Sequence, residues 1–303
     1  MNQKGLQLST GEMVLVPEGD FIMGSADPAA NANERPPHKV FVDEFYIDKF
    51  MVTNQQFDLF CQETGYISTA EQIGEGDTYV NGQWQWVKGA DWRHPYGPPS
   101  SIEARLDHPV VLVTIKDALV YCAWRSKKED RYFRLPTEAE WEKAARGSDG
   151  RLFPWGHEAV DAGGVLRARY NDGETKGTAP VGSFPEGASP YGIMDMAGNA
   201  WDWCLDAMDQ EYYHKAPLRD VGGPFSLDTA NVFRGGSHMF PKEALSSSCR
   251  HCNLLDRPSV GIGFRTVAPK RSWDAKRVRV FLRLMAYQRR KIKAQVRKML
   301  FKA

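Results

Sequence analysis

The chain is short of everything that would mark it as secreted or membrane-spanning. Its five cysteines (Cys61, Cys122, Cys204, Cys249 and Cys252) are odd in number and mostly scattered, so no disulfide framework is expected. No run approaches eighteen apolar residues, and Met1-Asn-Gln-Lys-Gly-Leu6 lacks the charged-then-apolar profile of a secretory signal. Together these absences predict a cytoplasmic protein without a transmembrane segment. The seven histidines show no His-x-x-x-His spacing, which leaves no histidine-rich metal centre to expect. Net charge is also scarce, at +1, but that figure hides an asymmetry. Residues 270–303 hold thirteen Lys or Arg against Asp274, a tail of +12, while 26 basic and 37 acidic residues leave 1–269 at −11.

What is present is enough for a large core: 303 residues, 42% of them hydrophobic, with 27 Gly, 18 Pro and 9 Trp. That balance predicts a fold rich in loops and aromatic clusters. Met13 to Met23 alternates around Pro17-Glu-Gly19 and reads as two short strands, as do Val40-Phe-Val42 and Phe45-Tyr-Ile47. Thr53-Asn-Gln-Gln56 is a capping box, followed by Phe57, Phe60 and Cys61 at helical spacing and closed by Gly65. Thr114 and Thr137 open two further helices. The stretch from Tyr66 to Pro109 is long for a connection, and Trp84, Trp86 and Trp92 argue that it is ordered. From Ser272 onward, Val278, Phe281, Met285, Ile292, Val296 and Met299 recur at three- and four-residue steps among Lys and Arg. Such a basic helix suits a protein partner, an anionic surface such as a membrane, or nucleic acid, or packs on the acidic body of its own chain.

The most specific stretch is Tyr191-Gly-Ile-Met-Asp-Met-Ala-Gly-Asn-Ala-Trp-Asp-Trp203. Asp195 and Asp202 flank a Gly198-Asn199 pair that can turn carbonyls inward, as a calcium cage requires, or simply make a turn before a core strand. Trp201 and Trp203 would then share one strand face. With Arg134-Leu-Pro-Thr-Glu-Ala-Glu-Trp-Glu142 upstream and Arg234-Gly-Gly-Ser237 and Gly263-Phe-Arg265 downstream, this order of motifs resembles the formylglycine-generating enzyme (sulfatase-modifying factor) family from about Met13 to Val267. The resemblance implies an α+β, C-type-lectin-like fold with short strands and long loops over 1–269, and does not cover the basic helical extension 270–303. It also implies structural calcium in two loops. Asp195 and Asp202 match ligand side chains and Gly198 and Ala200 match carbonyl donors, while Asn171, Asp172 and Glu174 are candidates in the shorter first loop.

The same resemblance implies that oxygen oxidises a cysteine in an unfolded sulfatase segment, using copper(I) held by two cysteines four residues apart. Soft thiolates suit that ion. Anchored on Arg250, the second of them falls on Ser247, and the first on Lys242 or, counted forward from Ser237, on Leu245. Copper is therefore not expected, and the leading expectation is a paralogue that binds a polypeptide client or small ligand as an accessory or maturation factor. Trp84 to Ser101 and Arg234 to Cys252 are the segments to do so, with Trp92, Arg93, Trp201, Ser237, His238 and Arg250 facing the ligand. The competing expectation is an oxygen-dependent oxidoreductase that uses Cys249 and Cys252, a Cys-x-x-Cys beside Arg250 and His251. Residues three apart on a strand face opposite sides, which weighs against it.

Overall fold

Four helices start on a Ser or Thr whose hydroxyl accepts the amide three residues on, while the side chain found there returns a bond to the cap. They are α1 (Asn54–Thr64, cap Thr53), α2 (Thr69–Ile73, cap Ser68), α3 (Ile115–Lys128, cap Thr114) and α4 (Glu138–Arg146, cap Thr137). Each is a complete capping box, so these starts are encoded locally. Gly65 and Gly74 end α1 and α2 in the left-handed conformation, at φ 65° and 83°. Three of the four starts were predicted; the Ser68 box lies in the long connection read only as ordered.

The computed structural model describes residues 11–270 apart from 81, 174–176, 220, 221, 225, 227, 228 and 255. The chain divides into two units, Met1–Ala268 and Pro269–Ala303. The basic helix expected in the second lies outside the described residues from Arg271 onward. Among the described residues no helix is long and apolar enough to cross a membrane.

In the first unit the strands are short, the longest described having seven residues. β1 (Met13–Val16), β4 (Phe45–Asp48) and β11 (Val267–Pro269) make one sheet in the order β1-β4-β11. β2 (Gly19–Met23) pairs with β3 (His38–Val42), so strands adjacent in sequence separate into different sheets. β5 (Glu75–Val80) and β6 (Gln83–Lys88) form a hairpin inside the long connection. The largest sheet runs β10-β7-β8-β9, from β7 (Trp201–Ala207), β8 (Asn231–Arg234), β9 (Arg250–Asn253) and β10 (Ile262–Gly263). β10 is parallel to β7, and the other pairs are antiparallel. A single turn, α5 (Tyr212–Lys215), follows β7. Among its described residues, the segment 147–200 has one-turn 3-10 helices as its only helices, as a loop-rich composition predicts.

Packing sorts the tryptophans in a way their sequence does not show. Trp92 is fully buried, 5.2 Å edge-on from Phe57 of α1, and Tyr121 of α3 meets Phe264 at 5.2 Å. Each ring of this kind removed from water contributes about 2–3 kcal/mol. Trp84 and Trp86, by contrast, are 41% and 42% exposed on β6. The long connection is therefore held by the hairpin ladder and by Trp92, not by all three indoles. Helix α4 is buried along its whole length despite carrying five charged residues. It can be, because each has a partner: Glu138 and Glu142 meet Arg234, Arg250 and Arg146, Glu140 meets Arg134, and Lys143 donates to Pro17 O and Gly19 O.

Candidate functional site

The loop that leads into β7 holds its shape through left-handed backbone at Asp195, Gly198 and Asn199 (φ 54°, 78° and 64°). Its carboxyls turn inward. Asp195 accepts from Gly182 N at 2.7 Å and from Asn199 Nδ2 at 3.5 Å. Asp202 Oδ2 accepts from Trp141 Nε1 (2.9 Å) and Arg265 Nε (2.7 Å), while its Oδ1 is buried without a partner. Arg265 also donates to the carbonyls of Met194 and Asp195. Burial raises the pKa of both carboxyls, against the pull of Arg265, and each is within electrostatic reach of the other charged groups of this loop.

The first candidate calcium loop is docked onto this one, since Asn199 N donates to Arg169 O at 2.7 Å and Asn171 N to Phe240 O at 2.9 Å. Its expected ligands are otherwise engaged. Asn171 Oδ1 accepts Gly173 N and its amide donates to Met239 O, and Asp172 lies 3.6 Å from Arg169. Glu174 lies outside the described residues. Among its described residues, the cation of this loop is a buried guanidinium, Arg169, which heads the loop in sequence but was not among the expected site residues.

The segment from Arg234 to Cys252 wraps over the same region. Ser237 is fully buried and its Oγ accepts Met239 N. His238 Nδ1 faces the Asn199 carbonyl at 2.9 Å, so the proton sits on Nδ1 and Nε2 accepts from Tyr96 Oη at 3.4 Å. Burial lowers the His238 pKa to about 4, which keeps the ring neutral at pH 7. The β8–β9 register pairs Phe233 with His251 and Val232 with Cys252. On one sheet face lie Trp201, Phe233 and His251, joined by Phe240: Trp201 is 5.0 Å from Phe233, 5.3 Å from Phe240 and 5.7 Å from His251. Cys249 packs into the same apolar cluster, whereas Cys252 sits opposite Val232 on the other face. Burial pushes the Cys249 thiol up to about 12 and raises Cys252 as well, so neither is a ready thiolate. The strand thus keeps the two sulfurs apart.

Five of the six residues expected to face a ligand are buried. Trp92 is interior and donates to Glu71 at 3.2 Å, and Trp201, Ser237 and His238 are buried. Arg250 is locked on Glu138 by bonds of 2.7 and 2.6 Å. Only Arg93 is open, its side chain 38% exposed above the Trp92 ring and paired with Glu71. His251, which the sequence reading did not select, forms the exposed edge of the aromatic cluster with half-buried Phe240 beside it. The alternation of β9, Arg250 in and His251 out, is the signal that would have found it.

Residues 1–270 match the family described as sulfatase-modifying factor enzyme 1-like domain. The formylglycine-generating enzyme of Bos taurus is 36% identical over 85% of this chain and 74% of its own length. A Mus musculus protein named inactive C-alpha-formylglycine-generating enzyme 2 is 37% identical over 84% of both chains. Among solved structures, PvdO from Pseudomonas aeruginosa superposes with a TM-score of 0.69 at 29% identity, covering 86% of this chain and 94% of that one.

Proposed function

Because the chain belongs to the sulfatase-modifying factor enzyme family and shares its fold, we propose that it binds a polypeptide client or small ligand as an accessory or maturation factor and does not oxidise it. The observation that carries this reading is the donor set between Ser237 and Cys252. Copper(I) calls for converging thiolates. Ser247 is buried with its carbonyl taken by Arg234 Nη2 at 2.7 Å, Leu245 packs in an apolar cluster, and Lys242 is exposed in a one-turn helix. Cys249 and Cys252 lie on opposite faces of the sheet. The residues do not fit copper. Family names alone do not choose, since relatives called formylglycine-generating enzyme and relatives called inactive match about equally well. The surface left for a ligand is Arg93 and the rim made by Phe240 and His251. With copper(I) and a Cys-x-Pro-x-Arg peptide supplied, oxygen uptake should stay at the protein-free rate. Turnover that disappears in Cys252→Ala would overturn the reading in favour of an oxidoreductase.

Calcium meets a better match at Asp195. The donors are hard oxygens, and the buried, unpartnered Asp202 Oδ1 is an atom that a cation would satisfy. Asp195 and Asp202, with the carbonyls of Gly198 and Ala200, would hold the ion, whose contribution is to fix the loop. Calcium at a hundredfold excess over its Kd adds about 2.7 kcal/mol. For a domain of this size that is roughly 5–10 °C in Tm. A chelator should lower the wild-type Tm by that amount and leave Asp195→Ala unmoved; a wild-type Tm indifferent to chelator would remove calcium from the proposal.

A further inference from the structure

Arg169 is 4% exposed, and its three donor nitrogens are unevenly served. Nε donates to Gly177 O at 2.9 Å. Nη1 lies 3.6 Å from Asp172 Oδ2, beyond hydrogen-bond reach, and Nη2 is buried with no acceptor. A guanidinium left in that state is costly unless something else meets it. A second guanidinium approaches the same backbone: a Cβ placed on Gly177 would lie 2.9 Å from Arg105 Nη1 and 3.6 Å from Tyr96 Oη. Gly177, at φ +81°, leaves that space open. Arg105 is half-buried, and none of the described side chains accepts a hydrogen bond from it.

Among the described residues, the charges that face this point do not cancel. His108, bonded to Thr178, and His238, bonded to Tyr96, both have their pKa lowered by burial and add none at neutral pH. Asp107 beside His108 is solvent-exposed, and among the described residues Asp172 is the carboxylate beside Arg169. Two planar cationic forks with unfilled donors are suited to oxygen anions, which they can grip with paired hydrogen bonds. They repel a divalent cation.

We propose that Arg105 and Arg169, with Tyr96, form a site for an oxyanion (sulfate, phosphate or carboxylate) in the loop where the family resemblance implies calcium. The inference is independent of the accessory-factor reading, because it involves neither the thiols nor a client. Isothermal titration of the full chain with phosphate, sulfate and acetate at constant ionic strength tests it. Saturation by one of the three is expected. Phosphate or sulfate as the tightest probe would indicate a free or esterified tetrahedral anion, and acetate the carboxylate of a peptide. Arg105→Gln and Arg169→Gln should each weaken binding about tenfold or more, the loss of a charged hydrogen bond. Arg105 is half-buried and outside the core, so its variant is expected to fold even if the Arg169 variant does not. No saturable heat with any probe, unchanged affinity in Arg105→Gln, or a bound calcium ion that is lost in Asp172→Ala would overturn the proposal.

Discussion

Glu138→Gln is expected to destabilise the domain by about 3–5 kcal/mol, a fall of roughly 6–20 °C in Tm. Both carboxylate oxygens are in use: Oε1 receives Arg234 Nη1 (2.5 Å) and Arg250 Nε (2.7 Å), and Oε2 receives Arg250 Nη2 (2.6 Å). All three side chains are essentially solvent-free. The amide oxygen of the glutamine can still accept on one side and Arg234 keeps Glu142, but Arg250 loses one of its two carboxylate oxygens and meets an N–H in its place. An amide donates where those guanidiniums need an acceptor. Burial alone would raise Glu138, yet Arg250 and Arg234 outweigh it and hold the carboxyl below its ordinary value of 4.5. A depressed carboxyl contributes its full stabilisation above the unfolded-state value and loses it as pH falls through the folded one. Acidification below about pH 4.5 should therefore cost the wild type more than the variant. Chemical unfolding of both proteins across pH 3–7 checks this; parallel curves would mean that the carboxylate is not the keystone of the cluster.

The second large effect is expected from a single methyl group. In Gly198→Ala the new carbon would sit 2.3 Å from Arg169 O and 2.9 Å from Arg169 C, at φ +78°. Left-handed strain alone costs an alanine about 1–2 kcal/mol. The collision is with backbone, so one of two docked loops must move, breaking the Gly198 N to Gly235 O and Asn199 N to Arg169 O bonds. A total loss above about 3 kcal/mol follows, together with loss of the chelator response. Gly192→Ala separates the two causes, since Gly192 has φ +79° but nothing within 4 Å of its would-be Cβ. It should cost only the strain. Equal losses in the two variants would show that the loops are not pressed together at Gly198.

These two residues also mark what a sequence can and cannot disclose. Gly198 and the capping boxes at Thr53, Thr114 and Thr137 were legible because their geometry is set within a few residues. Glu138 was read only as part of a helix start. Its partner Arg250 is 112 positions away, and no local pattern records the pairing. The same distance explains why Trp201, Ser237 and Arg250 looked like ligand contacts: motif residues cluster at the site because they brace it from within. Arg169 and Arg105 escaped notice for the converse reason. Neither belongs to a motif, and only the fold carries both to Gly177. Opposite faces for Cys249 and Cys252, on the other hand, followed from strand alternation alone: Cys252 pairs with Val232 in the β8–β9 register, and Cys249, just ahead of β9, packs in the cluster of Trp201 and Phe233.

One seam of the molecule bears on how it is made. Arg265 ties the carbonyls of Asp48 and Asp195 to the carboxylate of Asp202, and Thr266 binds Asp48, so the first sheet and the Asp195 loop share a fastening drawn from the far end of the domain. On the ribosome the amino-terminal strands must wait for it. A nascent chain halted at Gly261 would possess every one of the four capped helices and none of that seam, and would be exposed to premature association throughout the interval.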